Sequence, residues 1–181
     1  MDELIQRVAT NAAQTCRAPV PPVVADAEID DAEQRLGLAL LPLLCRLYRE
    51  VANGGFGPDY TLLPLSGAKN SLVEQYLALT AEREDGERVW PVGVVPILDW
   101  GCGMYAAVDC ASAAGTVLLF EPNAGPADWA EAWFVDAWSL ADWLETWLAG
   151  SGWYRQDADE QGQAVELAPW DAAGSRLAHI E

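Results

Sequence analysis

Three short apolar segments, Val94 to Leu98, Met104 to Asp109 and Thr116 to Glu121, follow one another with only a turn's length of chain between them. A parallel pair of strands needs a crossover of a dozen or more residues, usually a helix, so segments this close must return on themselves and pair antiparallel. All three are rich in apolar residues, and the turns between them are rich in glycine and alanine. Ala132 to Val135 is a candidate fourth strand.

Before and after this cluster the apolar period is helical. Leu4, Ile5, Val8 and Ala12 lie on one stripe of a helix from Asp2 to Gln14. The run Ala18-Pro19-Val20-Pro21-Pro22 breaks it as a stiff linker. Asp26 is placed to cap a helix to about Leu36, ended by Gly37, with Glu28, Asp30 and Asp31 where the helix dipole favours acids. Pro42 suits the first turn of the next helix, which carries Leu43, Leu44, Leu47, Tyr48 and Val51 and closes at Asn53-Gly54-Gly55. Tyr60 to Leu65 reads as a short strand ending at Pro64. Asn70 or Ser71 opens a helix through about Ala81, and Glu82 to Arg88 is a charged loop. Ser139-Leu140-Ala141-Asp142 is a capping box in its Asp form. It opens a helix with Leu140, Trp143, Leu144, Trp147 and Leu148 on one face, ended by Gly150. The tail from Ser151 to Glu181 has only Trp153, Tyr154, Val165, Leu167 and Trp170 to dock it. Helices, then clustered strands, then a helix predict an α+β fold: a central, mostly antiparallel sheet with flanking helices.

Apolar residues make up 51% of the chain, too many for a disordered acidic tail. Lys and Arg number 10 against 28 Asp and Glu, a formal net charge of −18. Nucleic acid and anionic membrane each require a basic face, so neither is expected as a direct ligand. The single histidine, His179, stands near the end of the chain, which leaves little room for His-dependent catalysis. The acidic start Met1-Asp2-Glu3 is unlike a signal peptide, and no apolar run approaches the roughly 18–20 residues of a membrane span, so a cytoplasmic protein is expected. Cys16, Cys45, Cys102 and Cys110 form no C-x-x-C pair and have no histidine to complete a zinc site. Buried, reduced thiols are the expectation, with no metal and no cofactor.

Gly101-Cys102-Gly103-Met104-Tyr105-Ala106 matches G-x-G-x-x-A after a strand. The dinucleotide fingerprint needs a helix to open there, whereas Met104 to Asp109 reads as a strand, so a tight turn between two strands fits better. Cys102 lacks the basic neighbour that a thiolate nucleophile requires, and a packed turn thiol is expected. Asp99 and Asp109 bracket the turn. Brought together they could act as acid and base or hold a cation; in the simpler reading one caps turn amides and the other is exposed.

From Val89 to Tyr154 there is no Lys, Arg or His, but there are eight acids: Asp99, Asp109, Glu121, Asp128, Glu131, Asp136, Asp142 and Glu145. The same stretch holds all of the 9 tryptophans except Trp170. Some, such as Trp143 and Trp147, belong to a core. Others, if exposed, would make with the acids a surface suited to a basic protein, acidity steering the encounter and aromatics anchoring it. The alternative is that the tryptophans are core and the acidity serves solubility.

The ordered set Ile29-Asp30-Asp31-Ala32-Glu33-Gln34-Arg35-Leu36-Gly37, Leu41-Pro42, Tyr48 and Asn53-Gly54-Gly55 resembles the opening of the SMI1/KNR4 (SUKH) superfamily. Val95-Pro96-Ile97-Leu98-Asp99-Trp100-Gly101-Cys102-Gly103 resembles its central strand and turn. Val108-Asp109, Gly115-Thr116-Val117 and Ser139-Leu140-Ala141-Asp142-Trp143-Leu144 resemble its later strands and closing helix, with Leu140 where the family usually has Phe. The resemblance covers about Asp26 to Gly150, which sets an SMI1/KNR4-like domain over 26–150 between the N-terminal helix and Pro-rich linker read over 1–25 and a C-terminal extension over 151–181. It implies a non-enzymatic binding protein with no catalytic residues. Many bacterial members of the family look like immunity proteins that bind and neutralise a toxin, often a nuclease; fungal members are instead regulators of cell-wall synthesis. The expected partner is a basic toxin domain, and the expected centre of the docking face is Asp99, Trp100, Asp109 and Glu121. The alternative is a regulatory or housekeeping interaction protein of the same fold with no toxin partner.

Overall fold

In a computed structural model of the chain, which describes residues 2–15, 19–58, 61–81, 88–123, 125–153 and 167–178, the closely spaced apolar segments pair in sequence order. Strands β1 (Val94–Gly101), β2 (Met104–Asp109), β3 (Val117–Phe120), β4 (Trp133–Ala137) and the two-residue β5 (Ala168–Pro169) form one sheet in the order β1-β2-β3-β4-β5, every neighbouring pair antiparallel. Around it stand α1 (Asp2–Thr15), α2 (Asp26–Leu36), α3 (Pro42–Glu50), α4 (Leu72–Thr80), α5 (Leu140–Ala149) and α6 (Ala173–Ala178), the α+β architecture expected. A 3-10 turn, Trp129–Ala132, leads into β4.

The helix boundaries follow the local chemistry. Gly37 ends α2 in the left-handed conformation, Pro42 occupies the first turn of α3, Ser71 accepts from the Glu74 amide at the head of α4, and Ser139 accepts from Asp142 at the head of α5. One expected cap shifts by a residue. Ala25, not Asp26, is the N-cap of α2; Glu28 reaches back to the Ala25 amide, while Asp26 pairs with Arg49. The expected strand at Tyr60 to Leu65 is irregular chain over the described residues 61–65. Its amides and carbonyls serve several elements at once: Leu63 N donates to Ile97 O of β1, Leu62 O and Pro64 O accept from Gly55 and Leu72, and Leu63 O takes the buried Tyr48 hydroxyl at 2.8 Å. Gly54 is fixed beneath this segment. A Cβ there would stand 2.6 Å from Leu62 O and Leu63 O, and its φ of +72° is left-handed besides.

The sheet separates two apolar clusters. On one face Val95, Ile97, Trp100, Ala106, Val108, Val117 and Leu119 pack with Leu4, Ile5 and Val8 of α1, Leu44 and Leu47 of α3 and Trp143, Leu144 and Trp147 of α5. On the other, Trp90, Val94, Ala107, Leu118, Phe120, Trp133 and Val135 form an aromatic cluster covered by Ala173, with Trp170 and Leu177 half-buried against it. The expected charged loop lies outside the described residues except Arg88, and Cys16, Tyr60, Tyr154, Val165 and His179 also lie outside them.

Candidate partner-binding surface

The four residues expected at the centre of a docking face are divided between the two ends of the sheet. Asp99 pairs with Tyr105, and Tyr105 pairs with Phe120, the residue before Glu121. Asp99 and Glu121 therefore share one end, beside the β1–β2 turn. Asp109 pairs with Val94 at the other end of β1, about 17 Å from Asp99 at about 3.3 Å per residue. Separation on this scale removes the paired-carboxylate arrangement: the two aspartates neither share a proton nor converge on a cation.

Each carboxylate has a local structural task. Asp99 accepts from the Gly101 amide at 2.7 Å, and Gly101, Cys102 and Gly103 follow at φ of +82°, +53° and +80°. This is the tight turn the glycines imply, with Asp99 as its cap. Glu121 accepts from the Asn123 amide at 2.6 Å. Both acids remain half-exposed. Asp109 is buried, not exposed as the simpler sequence reading had it, and the Arg176 guanidinium of α6 reaches both its oxygens at 3.2 Å. Trp100 is buried as well, its ring edge-on to Trp153 with centroids 5.4 Å apart. Neither Trp100 nor Asp109 is part of the accessible surface.

Most of the described tryptophans are interior. Trp90, Trp100, Trp133, Trp143 and Trp147 are buried, Trp129, Trp153 and Trp170 are half-buried, and Trp138 is exposed. Trp90 is surrounded edge-on by Tyr105, Phe120 and Trp133, the arrangement that aromatic quadrupoles favour. Clustering of indoles in the sequence is thus mainly the signature of core packing, divided between the two faces of the sheet.

Three further groups are shaped by burial. Asp136 is pushed up to about 6, chiefly by desolvation and against the opposing effect of the Trp143 indole, which donates to it at 2.8 Å. The Cys110 thiol is pushed up to about 12 by burial, and the buried Cys45 thiol is raised for the same reason. Cys102 departs from the expected packed thiol: it is exposed, because the left-handed turn extends past the ends of the strands it joins. Among the described residues no three His, Cys, Asp or Glu side chains gather as a metal site would require. A shallow groove of about 440 Å³ along α1 is walled by Gln6, Arg7, Thr10, Asn11 and Gln14.

Among the described residues, five arginines are engaged within the chain. Arg7 pairs with Glu145, Arg35 with Glu74, Arg46 with Asp2 and Glu50, Arg49 with Asp26 and Arg176 with Asp109. Pairing of this kind leaves the net charge of −18 unchanged.

The family model described as SMI1 / KNR4 family (SUKH-1) matches residues 24–146. No curated protein and no solved structure matches the chain.

Proposed function

Since the chain belongs to the SMI1/KNR4 family (SUKH-1), we propose that it is a non-enzymatic protein-binding module, an immunity protein that neutralises a toxin by covering its basic substrate groove. The observation that carries this reading is the net charge of −18 with five of the described arginines already held in internal ion pairs. Carboxylates unmatched within the chain are available to a partner. If that partner is a nuclease, they would occupy positions that phosphates otherwise take. Asp99 and Glu121, half-exposed at one end of the sheet, contribute steering charge on a rigid backbone; Trp100 and Asp109 support the fold from beneath. No described helix is long and apolar enough to cross a membrane.

A toxin domain encoded beside this gene is the partner to test. Its association rate with the purified protein, measured by stopped flow, should fall more than tenfold between low and high salt, as electrostatic steering requires. Asp99→Lys with Glu121→Lys should slow it several-fold without unfolding the protein. A rate indifferent to salt and to both substitutions would reject the steering role. Binding to a neighbour that is not a toxin would instead favour a regulatory interaction protein of the same fold.

A further inference from the structure

Trp138 is 71% exposed, while every other described tryptophan is buried or half-buried. Leaving an indole in water forgoes one of the larger burial gains a side chain can make, so its position calls for a reason. The backbone supplies one. Val117 pairs with Ala137 but Leu118 pairs with Val135, so β4 carries one extra residue, Asp136, at a bulge. Before the bulge the strand alternates: Trp133 and Val135 join the aromatic cluster and Phe134 packs with the helices. At the bulge Asp136 reaches the Trp143 indole and Ala137 also packs on the helical side. Trp138, next in line, belongs to neither cluster.

The exposed ring stands on fixed backbone. Ser139, the following residue, caps α5 and is bonded both to the Asp142 amide at 3.0 Å and to its carboxylate at 2.7 Å. The adjoining β2–β3 turn presents only small exposed side chains, Ala111, Ala113 and Ala114, so nothing bulky shields the indole from that side. Acids flank it at Asp136 and Asp142, no cation occurs between residues 89 and 153, and Arg176, at the same end of the sheet, is held by Asp109.

We propose that Trp138, with Asp142, is the anchor at which the chain grips a basic partner protein, taking an arginine or lysine side chain of that partner against the indole face. This rests on the reading of the chain as a binder of a basic protein and places the aromatic anchor of that surface. An indole face attracts a cation, and the exposed Asp142 carboxylate in the first turn of α5 adds to the attraction. A second copy of this chain is the poorer occupant, because two molecules each carrying −18 repel.

The test is calorimetric titration with octa-arginine amide at about 0.1 M salt, where long-range attraction is screened. The wild-type protein should bind. Trp138→Ala should weaken binding about fivefold to tenfold, Trp138→Tyr should retain most of it, and Asp142→Asn should weaken it about threefold. Asp30→Asn with Asp31→Asn, on α2, should leave it unchanged. Equal affinity of Trp138→Ala and wild type overturns the anchor while leaving the acidic-binder reading intact. No binding by the wild type overturns that reading too. A concentration-dependent dimer in sedimentation that Trp138→Ala abolishes overturns the basic partner in favour of a second copy.

Discussion

Asp136 shows how one residue couples burial to pH. Desolvation raises it to about 6 and the Trp143 indole offsets only part of that effect. The folded value lies above the ordinary carboxylate value, so the group's contribution to stability is fully present below about pH 4 and is lost as pH rises through 6. Asp136→Asn keeps an acceptor for the indole and removes the ionisation. We expect the variant to match the wild type near pH 4 and to exceed it by about 2 kcal/mol near pH 7.5, measured by urea unfolding at both pH values. A variant no more stable at the higher pH would show that the carboxylate ionises without penalty. Asp136 was visible in the sequence only as one of eight acids in a cation-free stretch. Its partial burial depends on the bulge and on a tryptophan in the next element, neither of which a residue count encodes. Trp138 was equally hidden among its neighbours, although its place just before a Ser-x-x-Asp cap set it off from the core-facing residues of α5.

At the scale of elements, the C-terminal segment is where tertiary structure adds most. The two-residue β5 extends the sheet beside β4, and α6 covers the aromatic cluster on the face turned away from the larger helices. Arg176 secures it, bonding Asp109, the Val92 carbonyl at 2.7 Å and the face of Trp170 at 5.7 Å. Replacing Arg176 with Ala leaves the Asp109 carboxylate buried without its countercharge. The cost should be about 2 kcal/mol, below the usual range for a broken buried pair because 26% of the Arg176 side chain remains in water. The urea midpoint followed by tryptophan emission measures it, and Asp109→Asn in the same background should recover part of the loss. The sequence named Leu167 and Trp170 as possible docking residues but no element, because a two-residue strand and a six-residue helix are too short for periodicity to register. The helices, by contrast, were legible almost to the residue, since glycine, proline and Ser-x-x-acid signals act through local sterics and local hydrogen bonds.

For the molecule as a whole, charge opposes compactness. Exposed pairs such as Arg7–Glu145 and Arg49–Asp26 contribute little and weaken in salt, whereas repulsion among the remaining carboxylates is screened by the same salt. With a net charge of −18 the second effect should win, and the thermal midpoint should rise by about 3 °C between low salt and about 0.5 M sodium chloride. A midpoint that falls would mean the ion pairs outweigh the repulsion. The antiparallel sheet, the helix boundaries and the acid excess were determined by the sequence itself, because strand spacing, capping chemistry and net charge are fixed by residues near one another or by simple sums. Which carboxylates share a surface, which tryptophans are core, and which indole stands mostly in water were decided only by the fold. Those outcomes depend on strand register, on one extra residue in β4 and on an arginine 67 positions from the carboxylate it holds, and long-range pairings of that kind leave no local trace in the chain.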